Sequence, residues 1–230
     1  MRLGEADKLV TFFTLKKGKI KGVAKGARRL KSRFGGVLEP FTHASVILFE
    51  RPGDQLARIS QVDTIRSFQK AREDLERIKL GVNMINLVNR LTPDAEPNEK
   101  IFRLLVEGLS HLEEGSDPAL SELLFVCRLI GFSGYQPRWD RCLKCRREIA
   151  DWIRFSPDLG GAVCAPCAQG IASSLCPVSL GTLGFLRSAQ RMDFVAAHRL
   201  RLSSPMAAEI RALLSAQLVH ILGYPPVLAT

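Results

Sequence analysis

The sequence predicts an α+β chain built in several units: a strand-rich N-terminal region, then a helical bundle interrupted by a cysteine-bearing module. Three observations carry this reading. Residues 1–66 hold short β-branched and aromatic runs divided by turn residues. From Gln69 onward the apolar positions step by three and four. Two C-x-x-C pairs, Cys142 with Cys145 and Cys164 with Cys167, are separated by 18 residues. The expected units are a barrel over 1–66, a first helical part over 67–138, a zinc-finger module over 139–168 and a second helical part over 169–230.

In the first unit, Leu9–Thr14, Ala44–Phe49 and, less strongly, Leu56–Ser60 read as strands, with Pro52-Gly53-Asp54 a hairpin turn between the last two. Gly18-Lys19-Ile20-Lys21-Gly22-Val23-Ala24 alternates lysine with apolar residues, so a strand there puts Lys19 and Lys21 on one face. Short strands and turns in so short a stretch suggest an OB-fold, a small barrel that commonly presents a groove for single-stranded nucleic acid.

Helical spacing begins near Phe68. Leu75, Ile78, Val82 and Ile85 give a helix over Gln69–Leu91 its apolar stripe, and Pro93 ends it. A second helix, about Asn98–Glu113, places Ile101, Leu104, Leu105, Leu109 and Leu112 on one side. Ser116 or Asp117 caps a third, with Pro118 in its first turn and Leu120, Leu123, Leu124, Cys127 and Ile130 inward. Further helices are expected around Leu180–Gln190 and Pro205–Leu222, packing back on the first three.

The net charge of +10 is unevenly spread. Residues 1–65 carry 13 Lys/Arg against 6 Asp/Glu, residues 66–130 carry 9 against 11, and residues 131–230 carry 11 against 6. Lys16, Lys17, Lys19, Lys21, Lys25, Arg28, Arg29, Lys31 and Arg33 fall within an acid-free stretch of 18 residues. A solvated loop is one reading of that run. Contact with nucleic-acid phosphates is the better one, because so much uncompensated charge is otherwise hard to justify. Phe12, Phe13 and Phe34 are candidate stacking surfaces, with burial in the core the expected fate of at least two.

Each C-x-x-C turn points two thiolates at one tetrahedral centre, so Cys142, Cys145, Cys164 and Cys167 fit a structural zinc site, one Zn2+ per chain. A disulfide framework suits short secreted domains, and a redox C-x-x-C needs only one pair. Four thiolates also leave no open position for a catalytic water. Cys127, in an apolar run, reads as a buried inert thiol. Cys176 reads as a loop cysteine or, less well, a substitute ligand. Arg138, Arg141, Lys144, Arg146 and Arg147 crowd the first pair and are candidates for additional contacts to DNA or to an acidic partner, or simply a solvated knuckle.

No phosphate-binding glycine loop and no H-E-x-x-H pair occur, and His43, His111, His198 and His220 are scattered. His111 reads as a partner for the C-terminus of the second helix. The chain is therefore expected not to be an enzyme. Its longest uncharged run, the 28 residues Leu159–Leu186, contains Pro166, Pro177 and two of the paired cysteines and does not suit a membrane span. A soluble, cytoplasmic protein without membrane contact is expected.

Several segments together resemble a known family. They are Gly4-Glu5-Ala6-Asp7-Lys8-Leu9-Val10-Thr11, Gly18-Lys19-Ile20, Ala24-Lys25-Gly26-Ala27-Arg28-Arg29, Lys31-Ser32-Arg33 and Leu38-Glu39-Pro40-Phe41. Downstream, Leu129-Ile130-Gly131-Phe132 and Gly160-Gly161-Ala162-Val163-Cys164 join them. The pattern resembles RecO, the bacterial recombination mediator and DNA-repair family, nearly end to end. The resemblance implies an N-terminal OB-fold, a helical bundle and an inserted zinc finger. It also implies binding to single- and double-stranded DNA, annealing of complementary strands, partnership with RecR, and a bacterial, nucleoid-associated location. In the RecF pathway such proteins help RecA replace the single-stranded-DNA-binding protein SSB, whose acidic tail they bind on the helical domain. RecF itself is a further candidate partner. Members of the family usually carry a longer lead-in before the Gly-Glu-x-Asp stretch than Met1-Arg2-Leu3, so a start placed too late or a clipped chain, with an open sheet edge, is expected. A general RNA-binding or ribosome-associated protein built on the same basic barrel is the alternative.

Overall fold

The structure is a computed structural model that describes residues 2–3, 6–50, 53, 56–115, 117–149, 153–171 and 174–224. Its N-terminal part is a sheet of β1 (Arg2–Leu3), β2 (Asp7–Thr14), β3 (Gly18–Ala24), β4 (Thr42–Phe49) and β5 (Ala57–Ser67). Helices α1 (Leu75–Leu91), α2 (Glu99–Glu114) and α3 (Pro118–Ile130) follow, and a turn of π type, Gly131–Tyr135, leads out of α3. The cysteine module contains β6 (Ile153–Ser156), β7 (Gly161–Cys164) and α4 (Ala165–Ala168). Then come β8 (Cys176–Val178), α5 (Leu180–Arg191), α6 (Phe194–Ala197) and α7 (Ser204–Leu222). No helix among the described residues is long and apolar enough to cross a membrane.

The predicted strands all form, and β5 runs on to Ser67 because β4 pairs with it antiparallel from Thr42↔Ser67 to Phe49↔Arg58. Of the expected hairpin turn, Pro52 and Asp54 lie outside the described residues. The strand order is β1-β2-β3-β5-β4, with one parallel step between β3 and β5. Among the described residues β1 and β4 are the two ends and do not pair, so the sheet is open rather than a closed barrel. Its inner face holds Ala24, Phe34, Leu38 and Ile59, with Val10, Phe12, Val46 and Leu48 packed against them.

The helices begin where capping chemistry allows. Asp74, Asn98 and Asp117 each accept a hydrogen bond from the backbone N–H three residues on. Ser116, the other candidate cap, lies outside the described residues. Residues 69–73 form a short tight turn rather than the start of α1.

One predicted face is corrected. Leu75 and Val82 are exposed and Ile78 and Ile85 only half-buried, whereas Leu80, Met84, Leu87 and Val88 enter the core. The α2 stripe is buried as expected except that Leu105 is half-buried, and α3 is buried nearly all round. α6 and β8 had no counterpart in the sequence reading. Cys176 therefore sits in a strand, paired with Phe155, and not in a loop.

Sheet and bundle share a core. Phe41 and Phe68 belong to the same hydrophobic cluster as the helices, and the Phe41 ring fits against Gly81, where a Cβ would lie 2.7 Å away. The expected boundary at residue 66 is thus a packed junction. At one end Lys19 Nζ donates to the carbonyls of Asn89 and Thr92 at 2.7 and 2.8 Å, satisfying the C-terminus of α1. At the other, Arg66 bonds Ser110 and Glu113 and pairs with Glu114 at the end of α2.

Candidate nucleic-acid interface and metal centre

The cysteine cluster is assembled by two turns brought together from separate hairpins. Around the first pair, the Cys142 amide donates to the Arg147 carbonyl at 2.9 Å and the Arg146 amide to the Cys142 carbonyl at 2.8 Å, with Arg146 at φ +62. The segment is laid on β7 by Leu143 N–H to the Ala162 carbonyl and by Arg138 with Gly160 and Ala162. Gly161 permits this approach, since a Cβ there would meet the Arg138 carbonyl oxygen at 2.6 Å. The second pair spans the end of β7 and the single turn α4, where Pro166 occupies the first turn.

The four sulfurs all lie within 4.8 Å of one another, and Cys145 Sγ and Cys164 Sγ are 3.7 Å apart. Thiolates about 2.3 Å from a tetrahedral zinc stand about 3.8 Å from each other, so the arrangement fits such an ion. Burial opposes ionisation of Cys142, but amides including that of Cys164, 3.4 Å from the sulfur, outweigh it and bring its pKa down to about 6. The Cys167 thiol is pushed up to about 12, first by its hydrogen bond with Cys164. One thiol is thus readily ionised and another is not; a cation at the centre favours the thiolate form of all four. Cys142 is buried and Cys145 exposed. Cys176 is not in the cluster. Cys127 is a thiol whose pKa burial raises to about 12.

Arg138, Arg141, Lys144, Arg146 and Arg147 are all exposed around this knuckle. Beneath it, Trp139 and Phe155 pack with ring centroids 5.1 Å apart, and Arg187 holds the Trp139 carbonyl from α5. The module is therefore rooted in the helical core.

The basic run divides into two groups. Lys16, Lys17, Lys21, Lys25, Arg28, Arg29, Lys31 and Arg33 are exposed. Among the described residues Lys16, Lys25, Arg28, Arg29 and Lys31 make no ion pair, whereas Lys17 pairs with Glu50. Arg33 lies over the Phe34 ring, 4.9 Å from its centroid. Lys19 stands apart, committed to α1 and, with Lys21, to Asp94. That shared carboxylate shows the two lysines on one face, as the alternation predicts, and their hydrogen bonds hold the Asp94 carboxyl below its ordinary range. None of the three candidate stacking rings is free: Phe34 is buried, Phe12 packs on the sheet core and Phe13 on the helical core.

A family model described as the N-terminal part of recombination protein O matches residues 1–68, and one for its C-terminal part matches residues 72–227. The chain belongs to the RecO family. It is 37% identical over 221 residues to a DNA repair protein RecO of Anaeromyxobacter sp. (strain K), covering 96% of this chain and 87% of that protein. To the DNA repair protein RecO of Rubrobacter xylanophilus it is 33% identical over 229 residues, covering 98% and 88%. The RecO-like segments noted in the sequence sit where the fold turns tightly or is joined: Phe41 at the sheet–bundle junction, Gly131 at the exit from α3, Gly161 beneath the cysteine knuckle. Three groups were not anticipated from the sequence: Arg66, Lys19 as a helix-end ligand, and the His111–His198 stack, 3.9 Å between centroids.

Proposed function

We propose that this chain acts in DNA repair and homologous recombination. It binds single- and double-stranded DNA, anneals complementary strands and, with RecR, helps RecA replace SSB. The observation that carries the reading is the set of exposed cations that make no ion pair among the described residues, Lys16, Lys25, Arg28, Arg29 and Lys31, in the β2–β3 and β3–β4 connections of a RecO-family chain. Neutralising two strands at once lowers their mutual repulsion while leaving base edges free to pair.

Strand order with its single parallel step supports reading the sheet as an OB-fold. Zn2+ is the ion that best suits four thiolates; when bound it orders the knuckle and keeps the five nearby cations in place. The chain performs no catalysis of its own. SSB engages through its acidic tail, and RecF is a further partner.

The test is annealing of complementary oligonucleotides coated with SSB, comparing intact SSB with SSB lacking the tail. Rapid annealing that depends on the tail is expected. If about six phosphates are contacted, log affinity for single strands falls with log salt at a slope near −4. Affinity indifferent to salt, or a preference for RNA with no annealing, would count against the reading.

A further inference from the structure

Phosphate contacts hold a strand without reading or orienting its bases, and single-strand binders add aromatic faces for stacking. With Phe12, Phe13 and Phe34 packed inward, that face has to come from elsewhere on the sheet. Of the chain's 12 phenylalanines, Phe49 alone is exposed, at 64%.

Phe49 ends β4, an edge of the open sheet. Its neighbours on either side of the ladder fix its direction: Leu48 and Ile59 point to the sheet core, so Phe49 and its cross-strand partner Arg58 point outward together. Arg58 is exposed and makes no ion pair among the described residues. Two residues back on the same outer face lies Ile47, 48% exposed, opposite the exposed Gln61. The next residue after Phe49 links the patch to the basic run, because Glu50 pairs with Lys17 at 2.8 Å, in the β2–β3 turn that also carries Lys16. The corresponding outer face of β2–β3 is less open, since Phe13 packs on the helical core and Lys19 and Lys21 are held by Asp94.

We propose that Phe49, with Arg58 opposite it, is the base-stacking contact for single-stranded DNA, on the outer face of β4–β5. This rests on the proposed DNA-binding role and adds to it the residue that distinguishes unpaired from paired bases. The ring offers a face that any base can stack on, and Arg58 supplies a guanidinium for a phosphate or a second stacking plane. Duplex DNA, its bases already stacked, gains nothing there.

The experiment measures binding of oligothymidine and of a duplex of equal length by the full chain, at several salt concentrations, for wild type, Phe49→Ala, Phe49→Leu and Phe49→Trp. Phe49→Ala and Phe49→Leu are expected to weaken oligothymidine binding by roughly 5- to 100-fold with the salt slope unchanged. Phe49→Trp retains it, and duplex affinity moves less than about twofold. Because Phe49 is exposed, its truncation should leave the thermal midpoint in place; Phe49→Leu keeps the apolar bulk and serves if the alanine variant does not fold. Equal losses on duplex and single strand, or wild-type affinity in both truncations, overturn the proposal while leaving the DNA-binding role intact. A wild-type chain that binds neither substrate defeats that role itself. A dimer in sedimentation that Phe49→Ala dissociates assigns the face to self-association and overturns the proposal as well.

Discussion

Lys19 reaches out of the sheet to within 3.1 Å of the Asp94 carboxylate, in the link between α1 and α2. One of nine cations in the basic run is thereby a structural residue, only 12% exposed along its side chain, while its neighbours face solvent.

That division separates stability from binding. Lys19→Met is expected to lower stability by about 1–3 kcal/mol, since two carbonyls at the end of α1 lose a charged donor. Its salt slope for single-stranded DNA should stay that of wild type. Lys25→Ala should do the reverse, keeping the denaturation midpoint and flattening the slope by about 0.7 for a lost phosphate contact. Matching effects in the two variants would contradict the assignment.

Asp94 gives the junction an acid limit. Hydrogen bonds from Lys19 and then Lys21 hold its carboxyl below the ordinary 3.8. A depressed folded value means the stabilisation is present above 3.8 and is lost as pH falls through the folded value. Asp94→Asn should therefore be less stable than wild type at neutral pH, with the gap closing as acidification takes the carboxyl through its lowered folded value. Parallel denaturation curves at all pH values would contradict this.

His111 sets a second pH dependence. The His111 and His198 rings stack at 7°, Phe194 meets both edge-on, and Arg128 lies beyond Phe194. Burial first, then the neighbouring His198, keeps the His111 pKa below 6.5, against a pull upward from Glu114. The unfolded chain takes up the proton first, so stability should fall as pH drops through 6.5. His111→Phe keeps a stacked ring without the titration and should flatten the profile between neutrality and about pH 5. Some slope remains from His43, whose pKa burial also lowers.

The proposed zinc at the cysteine cluster is tested by removal. Purified protein should carry one zinc per chain, and a strong chelator or Cys142→Ser should open residues 139–168 to proteolysis. With zinc bound there, an apparent binding free energy on the order of 10 kcal/mol or more is expected. Since Trp139 and Phe155 belong to the main core, the loss should also lower the midpoint of the whole helical part. A Cys142→Ser chain as protease-resistant as wild type would argue against a metal.

Local chemistry was legible in the sequence and partner choice was not. The cysteine cluster could be read because two short spacings specify it, and the Asp117 cap because it stands directly before Pro118 and bonds only three residues away; Asp74 was hidden inside a helix expected to start at Gln69. The α1 face could not, because Leu75–Val82 and Leu80–Met84–Leu87 both keep helical period on opposite sides. Periodicity fixes the spacing and leaves open which side meets the bundle. Lys19 looked like its neighbours because its partner carbonyls lie 70 and 73 residues downstream. For the same reason strand alternation alone did not say that the outer face at Phe13 would be covered by helices and the one at Phe49 left open.

The two clamps on the sheet have a mechanical consequence. α1 and α2 run antiparallel, with Arg77 holding the last carbonyls of α2 beside the first turn of α1, so their C-termini stand at opposite ends of the pair. Lys19 grips one end and Arg66 the other, about 25 Å apart for a helix of 17 residues. Two such points leave only the line joining them as a hinge, and the shared core around Phe41 and Phe68 resists turning about it. Any tension that a bound strand exerts on the basic loop is thus delivered to the bundle as a torque on the whole helical pair, and the bundle moves with the sheet or not at all.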